Sequence, residues 1–97
     1  MKRISFHDLA ERELLDAARY YESESSGLGL AFVDAVERTC AAIVRHPESG
    51  GSISETVRRR LVRRFPYALL YSIRREGVRV LAVMNLKRRP SYWTDRE

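Results

Sequence analysis

The side chains in this sequence that are best suited to chemistry are arginines, some of them next to aromatic residues. Of the 97 residues, 18 are Lys or Arg and 13 are Asp or Glu. Arginines fill the segment Arg58–Arg60, and the segment Lys87–Trp93 joins basic residues to a tyrosine and a tryptophan. A guanidinium binds phosphate or carboxylate through paired hydrogen bonds, and aromatic rings stack on nucleic acid bases. The two segments therefore predict a surface that binds an acidic partner.

Six residues form this predicted binding surface. Because side chains alternate along a strand, Arg58 and Arg60 would share one face, which we expect to be the open face of a sheet. Two structural alternatives stand beside this interpretation. Charges on an edge strand commonly prevent aggregation, and the aromatic pair could fold back over the core. The full set is Arg58, Arg60, Arg88, Arg89, Tyr92 and Trp93.

The net charge of +5 hides an uneven distribution along the chain. Residues 1–54 carry six basic and nine acidic side chains, a net charge of −3. Residues 55–97 carry twelve basic side chains, eleven of them arginine, against four acidic ones, a net charge of +8. A coding bias toward arginine is the plain alternative, but a surface that needs only solubility does not require the planar guanidinium fork.

The sequence lacks the patterns of most catalytic and metal sites. His7, Cys40 and His46 lie far apart without the spacing of metal ligands, and Cys40 falls on the apolar stripe of a predicted helix. No phosphate-binding loop, dinucleotide-binding fingerprint or nucleophile motif occurs. We therefore expect neither a metal nor a cofactor. Residues 55–97 also contain no histidine, so this basic half has no ordinary general base near neutral pH.

Length and composition predict one cytoplasmic domain that spans residues 1–97. No apolar run approaches the roughly 20 residues that a bilayer helix needs, so we expect no membrane partner. The charged start Met1–Asp8 has no apolar segment typical of a signal peptide. A single cysteine suits a reducing compartment.

Hydrophobic periodicity predicts a short N-terminal strand followed by two helices. Asp8 and Glu11 have the spacing of a capping box at the start of the first helix. Pro47 ends the second helix near His46, because the residue before a proline is disfavoured in helices. The two helices form an αα-hairpin, and four acidic residues are expected on its solvated face: Glu22, Glu24, Asp34 and Glu37.

After a predicted loop at residues 47–54 the periodicity changes to two, which is typical of strands. Residues 57–63 predict a basic strand, residues 67–73 an apolar strand that is central because both of its faces are apolar, and residues 78–85 a further strand. The order β-α-α-β-β-β predicts an α+β fold. Its N-terminal strand and αα-hairpin would pack on one face of a small antiparallel sheet.

Several local patterns follow one another along nearly the whole chain. They are Ala17–Glu22, Gly27–Phe32, the helix exit Ile43…Pro47…Gly50, the run Arg60…Phe65-Pro66-Tyr67…Tyr71, and Val80–Val83 followed by Arg88–Trp93. In this order and spacing they resemble the RelE/ParE superfamily of bacterial toxins. The resemblance implies a toxin that is encoded beside a neutralising antitoxin in a type II toxin–antitoxin module.

Two branches of the superfamily imply different targets. RelE-like members cleave messenger RNA in the ribosome, and the resemblance would give Arg60, Arg88 and Tyr92 the catalytic roles. ParE-like members act on DNA gyrase and lack this nuclease set. Ala68 departs from the RelE-like pattern, which has an arginine after the tyrosine that opens the central strand. The ParE-like branch is therefore favoured, although it often has a histidine in the stretch occupied by residues 85–87. A member that retains antitoxin binding without toxicity is the third possibility.

For the ParE-like toxin, the RelE-like toxin and the non-toxic member alike, the resemblance implies an antitoxin with an acidic segment. We expect this segment to fold on binding, to lie across the apolar face and to pair with Arg58, Arg60 and Arg88.

Overall fold

A hairpin of two helices packs on one face of a five-stranded sheet in the computed structural model, which describes residues 3–97. This arrangement confirms the predicted α+β fold. Short 3₁₀ helices follow the second helix and end the chain, at Pro47–Ser49 and Thr94–Arg96. The main elements are β1 (Arg3–Phe6), α1 (Asp8–Glu24), α2 (Leu28–Arg45), β2 (Gly51–Ser52), β3 (Arg58–Leu61), β4 (Tyr67–Arg74) and β5 (Gly77–Asn85).

The sheet is mixed, with the strand order β1-β5-β4-β3-β2. Strands β3, β4 and β5 pair antiparallel as predicted, and the additional strand β2 pairs antiparallel with β3. The prediction of a fully antiparallel sheet is wrong for β1, which pairs parallel with β5. The two helices between β1 and the rest of the sheet provide the long crossover that parallel neighbours need. Gly77 permits this pairing, since it has a φ of 147° and an added Cβ would lie 2.1 Å from the carbonyl oxygen of Arg3. The predicted loop at residues 47–54 contains a 3₁₀ turn and the short strand β2.

The start of α1 is capped by a different side chain from the predicted one, whereas the end of α2 lies where it was predicted. The N-cap of α1 is His7, whose Nδ1 accepts the backbone N–H of Leu9 at 3.1 Å. Asp8 and Glu11 lie instead in the first turn, where negative charge is favoured by the helix dipole. The predicted end of α2 near His46 is confirmed, because His46 is the C-cap residue.

Glu22 is exposed, as expected, and it also joins the two helices. Its carboxylate accepts the backbone N–H groups of Gly27 at 3.0 Å and of Gly29 at 3.0 Å. These donors belong to the first turn of α2, which has no side-chain cap from its own N-cap residue. A carboxylate from the preceding helix therefore satisfies N–H groups that would otherwise have no partner.

The sheet buries apolar side chains on both faces, which explains why β4 is apolar throughout. On the helix side, Leu69 and Tyr71 of β4 pack under Phe32, Val36 and Ile43, together with an aromatic group around Tyr21. Cys40 packs at the margin of this core, as predicted, and its burial raises the pKa of the thiol to about 11. On the other side a second apolar layer forms from Val57, Ala68, Leu70, Leu81, Ala82, Met84 and Trp93.

No helix within residues 3–97 is long and apolar enough to span a bilayer.

Candidate functional site

Arg58 and Arg60 share one face of β3, as predicted, but it is the face that carries the helices. Arg58 pairs with Tyr71 and Arg60 with Leu69, and both partners belong to the core under the helices. The expectation that the two arginines lie on the open face is therefore wrong. Alternation along a strand predicts that the two side chains lie on the same face of the sheet. Which of the two faces it is depends on the register with β4.

Arg58 is fixed by backbone contacts within the chain. Its guanidinium donates to the carbonyl oxygens of Glu48 at 3.1 Å and Gly50 at 2.9 Å. These carbonyls belong to the segment between α2 and β2, in and just after the 3₁₀ helix Pro47–Ser49. Arg58 therefore attaches this connection to β3 through two hydrogen bonds.

Arg60 lies at the edge of a cavity of about 460 Å³ that we call the α2–β3 groove. One wall is a stripe of small side chains on α2: Ala31, Ala35, Thr39 and Ala42. The opposite side is the chain at Arg60 and Leu61, although the Leu61 side chain, paired with Ala68, points to the other face of the sheet. The rim carries four arginines, Arg38, Arg60, Arg63 and Arg64, and one acid, Asp34.

Three of these arginines were missed by the sequence analysis. Arg63 and Arg64 lie shortly after β3, so the concentration of arginines in this part of the sequence was a usable signal. Arg38 lies on α2, and no local pattern links that helix to β3. Arg60 also donates a hydrogen bond to the hydroxyl of Ser49.

Arg88 and Tyr92 lie in a different cavity, of about 450 Å³, between α1 and the end of β5. We call it the α1–β5 cleft. The guanidinium of Arg88 stacks on the Tyr92 ring at 4.0 Å from its centroid, and that of Arg96 packs on the same ring at 4.9 Å. The Tyr92 ring therefore forms a cation–π contact with each of the two arginines.

Arg96 makes the most extensive polar contacts of any side chain near the C-terminal end. Its guanidinium donates to both carboxylate oxygens of Glu13, at 2.9 and 3.0 Å, and to the carbonyl oxygen of Leu81 at 3.1 Å. Glu13 in turn accepts the backbone N–H of Val83 at 3.0 Å. Since β1 pairs with β5 only as far as Val80, this ion pair satisfies the β5 backbone beyond the end of β1. We refer to Glu13, Arg88, Tyr92 and Arg96 as the tail cluster.

The ion pair of the tail cluster is largely buried. The Arg96 side chain is 8% exposed and that of Glu13 is 18% exposed. Burial by itself lowers the pKa of Arg96, but the hydrogen bonds and charge of Glu13 outweigh it, so the pKa of Arg96 rises. The guanidinium is therefore charged at neutral pH.

The Tyr92 hydroxyl is buried and has no hydrogen-bond partner among residues 3–97. Burial, followed by the nearby charge of Glu13, raises the pKa of Tyr92 above its ordinary value. Both effects disfavour the phenolate. The side chain is therefore protonated near neutral pH and its oxygen is shielded from a substrate.

Trp93 is a core residue rather than a stacking platform. It is 5% exposed, packs in the second apolar layer, and donates its indole N–H to the carbonyl oxygen of Pro90 at 2.6 Å. The alternative that this ring folds back over the core is the one the structure supports. Arg89, in contrast, is exposed.

The residues predicted for RNA cleavage do not share one cavity. Arg60 lines the α2–β3 groove, whereas Arg88 and Tyr92 line the α1–β5 cleft. Within residues 3–97 no group of three His, Cys, Asp or Glu side chains is placed to hold a metal ion. The arrangement supplies fixed positive charge next to apolar walls, which suits binding.

Comparison with solved structures finds the same fold in a chain described as "Chromosomal ParDE TA system from P. aeruginosa". The TM-score is 0.73 and the identity 17%, and the match covers 88% of this chain and 96% of that one. Among curated protein sequences no match is found. The two chains therefore share a fold.

Residues 4–90 of this chain match the model of a protein family described as "ParE toxin of type II toxin-antitoxin system, parDE". This chain therefore belongs to the ParE toxin family of type II toxin–antitoxin systems.

Proposed function

We propose that this toxin inhibits growth by binding DNA gyrase and that a cognate antitoxin neutralises it. Membership of the ParE family supports the gyrase target over the ribosome. The observation that carries the choice is the state of Tyr92, whose hydroxyl is buried and whose pKa is raised. The proposed site of action is the cytoplasm, where gyrase works.

The chemistry of RNA cleavage explains why Tyr92 decides between the targets. Attack by a 2′-hydroxyl needs a base for the nucleophile, positive charge for the phosphorane and an acid for the leaving group. Arginines can supply the charge, but their pKa above about 12 makes them poor proton donors and acceptors. The two histidines, His7 and His46, lie in the first half of the chain. A shielded Tyr92 leaves the acid and base functions without a side chain.

Ala68 supports the same choice. It is fully buried in the second apolar layer, on the face of the sheet opposite the helices. A RelE-like toxin is expected to have an arginine at this point of the central strand. Here the position contributes a methyl group to the core and no charge.

Two exposed regions are available for gyrase. The segment Lys87–Arg89 projects beyond β5 with all three residues exposed. At the hairpin, Tyr20 is 57% and Leu30 is 66% exposed, although both are apolar enough to prefer burial. We propose that the basic segment and the tip of the helical hairpin contact the target.

The partner is inferred from the family and from the similar ParDE structure, whose description names a toxin–antitoxin system. We propose that the antitoxin is acidic and that it screens the positive second half of the toxin. Arg58 is engaged by carbonyl groups and Arg88 is stacked on Tyr92. Arg60 lines the α2–β3 groove and donates to the neutral hydroxyl of Ser49, and of the three arginines we propose it as the main antitoxin contact.

Induction of the toxin in cells without antitoxin tests the proposed target. We expect gyrase-linked DNA breaks and an SOS response, with messages that remain uncut by primer extension. The double variant Lys87→Glu/Arg89→Glu, which leaves the stacked Arg88 in place, should lose toxicity, while Arg75→Glu, on the exposed β4–β5 turn, should keep it. Cut messages without DNA breaks would favour the RelE-like function, and normal growth would favour a non-toxic antitoxin-binding protein.

A further inference from the structure

The α1–β5 cleft brings aromatic, amide, acidic and basic side chains together in one cavity of about 450 Å³. We propose that it binds a single nucleotide, with guanine as the preferred base and with the phosphate held by the basic side chains. This inference goes beyond the proposed gyrase target and does not depend on it, because it concerns a ligand of the toxin itself.

The cleft has the size of a small-ligand site and two chemically different walls. Its volume lies within the range of roughly 300–1,000 Å³ that is typical of such sites. One wall consists of Glu13, Asp16, Ala17 and Tyr20, which recur on one face of α1 at intervals of three and four residues. The other wall is the end of β5 and the basic segment that follows it. A ligand in the cleft would therefore contact a helix on one side and basic side chains on the other.

Tyr20 supplies a ring on which a base can stack. It is 57% exposed, and its ring packs edge-on against Tyr21 with the centroids 5.3 Å apart, which holds it in position. Every base has a π-face, so stacking on an aromatic side chain is a general mode of nucleotide binding. The ring of Tyr92 already carries Arg88 and Arg96. Tyr20 is therefore the ring of the cleft that can receive the base.

Asp16 and Asn85 can recognise the edge of the base. The Oδ1 atom of Asn85 accepts the backbone N–H of Lys87 at 2.9 Å, which leaves the NH2 group of the amide as a donor. The Asp16 side chain is 64% exposed and its pair with Arg19 is 3.9 Å long, so its carboxylate can accept further hydrogen bonds. Guanine presents two neighbouring N–H donors and a carbonyl acceptor on its pairing edge, which complement a carboxylate and an amide NH2 group. Adenine has one donor group on this edge, so we expect it to bind more weakly.

Lys87 and Arg88 are placed to bind the phosphate. Both are exposed, and neither belongs to the two ion pairs that form among residues 3–97. Stacking on Tyr92 uses the face of the Arg88 guanidinium and leaves its N–H groups able to donate. Glu13 on the helix wall is neutralised by Arg96, so it opposes an anion little. The end of β5 therefore provides positive charge for a phosphate.

Two other classes of ligand fit the cleft less well. A cationic ligand could stack on Tyr20 and pair with Asp16, but it would face Lys87 and Arg88 at the end of β5. An acidic peptide could pair with these two basic side chains, but it would leave the exposed ring and the carboxylate without a complementary group. A nucleotide complements all four side chains.

Calorimetric titration of the full-length toxin, in the absence of antitoxin, tests the proposal. The probe is guanosine monophosphate, and the references are guanosine, which lacks the phosphate, and adenosine monophosphate. We expect guanosine monophosphate to bind and each reference to bind about tenfold more weakly. Added salt should weaken the binding of the nucleotide more than that of guanosine, because only the nucleotide is charged.

Three variants locate the binding, and each has a matched control. The variants change exposed side chains of the cleft: Asp16→Ala, Tyr20→Ala and Lys87→Glu. The controls change exposed side chains elsewhere: Glu24→Ala, Leu15→Ala and Arg75→Glu. We expect each cleft variant to weaken the binding of guanosine monophosphate about tenfold or more and each control to change it much less. Asp16→Ala should also lose the preference for guanine over adenine, and circular dichroism confirms that each variant is folded.

A single-stranded oligonucleotide distinguishes a free nucleotide from a nucleotide within a strand. The probe is a thymidine oligonucleotide with one central deoxyguanosine. If it binds in the cleft more tightly than guanosine monophosphate, the site receives a base of single-stranded nucleic acid. The reverse order would assign the site to a free nucleotide.

The absence of binding by both probes at millimolar concentration would overturn the proposal, as would equal binding by the cleft variants and their controls. Equal affinity for guanosine and guanosine monophosphate would contradict the phosphate contact and with it a nucleotide site. Cleft-dependent nucleotide binding by a toxin that leaves gyrase untouched would uphold the site and contradict only the proposed target.

Discussion

Two regions of this protein are rich in arginine, and they use it in opposite ways. In the tail cluster, Arg96 is buried against Glu13 and Arg88 is stacked on Tyr92. In the α2–β3 groove, four arginines surround small apolar side chains and form no ion pair with any residue from 3 to 97. The tail cluster therefore holds the fold together, whereas the groove keeps its charge available. Position and partners, rather than residue type, separate a structural arginine from a binding one.

Removal of Trp93 should have the largest effect on stability. Trp93→Ala leaves a cavity in the second apolar layer and should lower the free energy of unfolding by about 3–5 kcal/mol. Chemical denaturation measures this loss. The matched variant Tyr20→Ala removes an aromatic ring that is 57% exposed and should cost much less. A small effect at Trp93 would mean that the tail is not part of the core.

Loss of the ion pair in the tail cluster should rank next. Glu13→Ala removes the partner of a buried guanidinium and of the Val83 N–H, so we expect a loss of about 3 kcal/mol. Asp16→Ala is the control on the same helix. It breaks a pair with Arg19 that is 3.9 Å long and exposed, and it should change stability by less than about 0.5 kcal/mol. Similar losses in the two variants would contradict the structural role of the tail cluster.

Substitution of Arg58 tests whether this arginine, which lies next to the groove residue Arg60, stabilises the fold. Arg58→Ala removes two hydrogen bonds to carbonyl oxygens and should lower the free energy of unfolding by about 2 kcal/mol. Arg59→Ala, the next residue on the strand, removes an exposed side chain and should leave stability almost unchanged. If the Arg58 variant is as stable as the Arg59 variant, the carbonyl contacts contribute nothing.

Tyr92→Phe should have the smallest effect and separates the two candidate targets. The hydroxyl it removes is buried and has no hydrogen-bond partner in the described part of the chain, residues 3–97, so stability should stay constant or rise by up to about 1 kcal/mol. Toxicity should be retained, because the ring still stacks on Arg88. A nuclease that uses Tyr92 as its proton donor would lose activity in this variant, which growth assays would detect.

Local patterns predicted much of the fold, because helices and central strands have their own periodicity. The two helices, their exit near His46 and the apolar strand at residues 67–73 could all be placed from sequence. The parallel pairing of β1 with β5 could not, since it depends on contacts between residues more than 70 positions apart. The cap by His7 was missed because the spacing of Asp8 and Glu11 fits a capping box that does not form.

The candidate site was harder to predict than the fold. Alternation placed Arg58 and Arg60 on one face, but the choice of face depends on the register with β4. The pair of Glu13 and Arg96 joins residues 83 positions apart, and nothing in either local sequence indicates it. Arginine density alone could not separate the groove from the tail cluster, because that difference depends on which acids and rings lie nearby.

The most direct test of the proposed function is a supercoiling assay with purified toxin, DNA gyrase, relaxed plasmid and ATP. We predict that the toxin reduces supercoiling as its concentration rises and that cleaved plasmid accumulates when the reaction is stopped with detergent. Full supercoiling without cleavage at a large excess of folded toxin would contradict gyrase as the target.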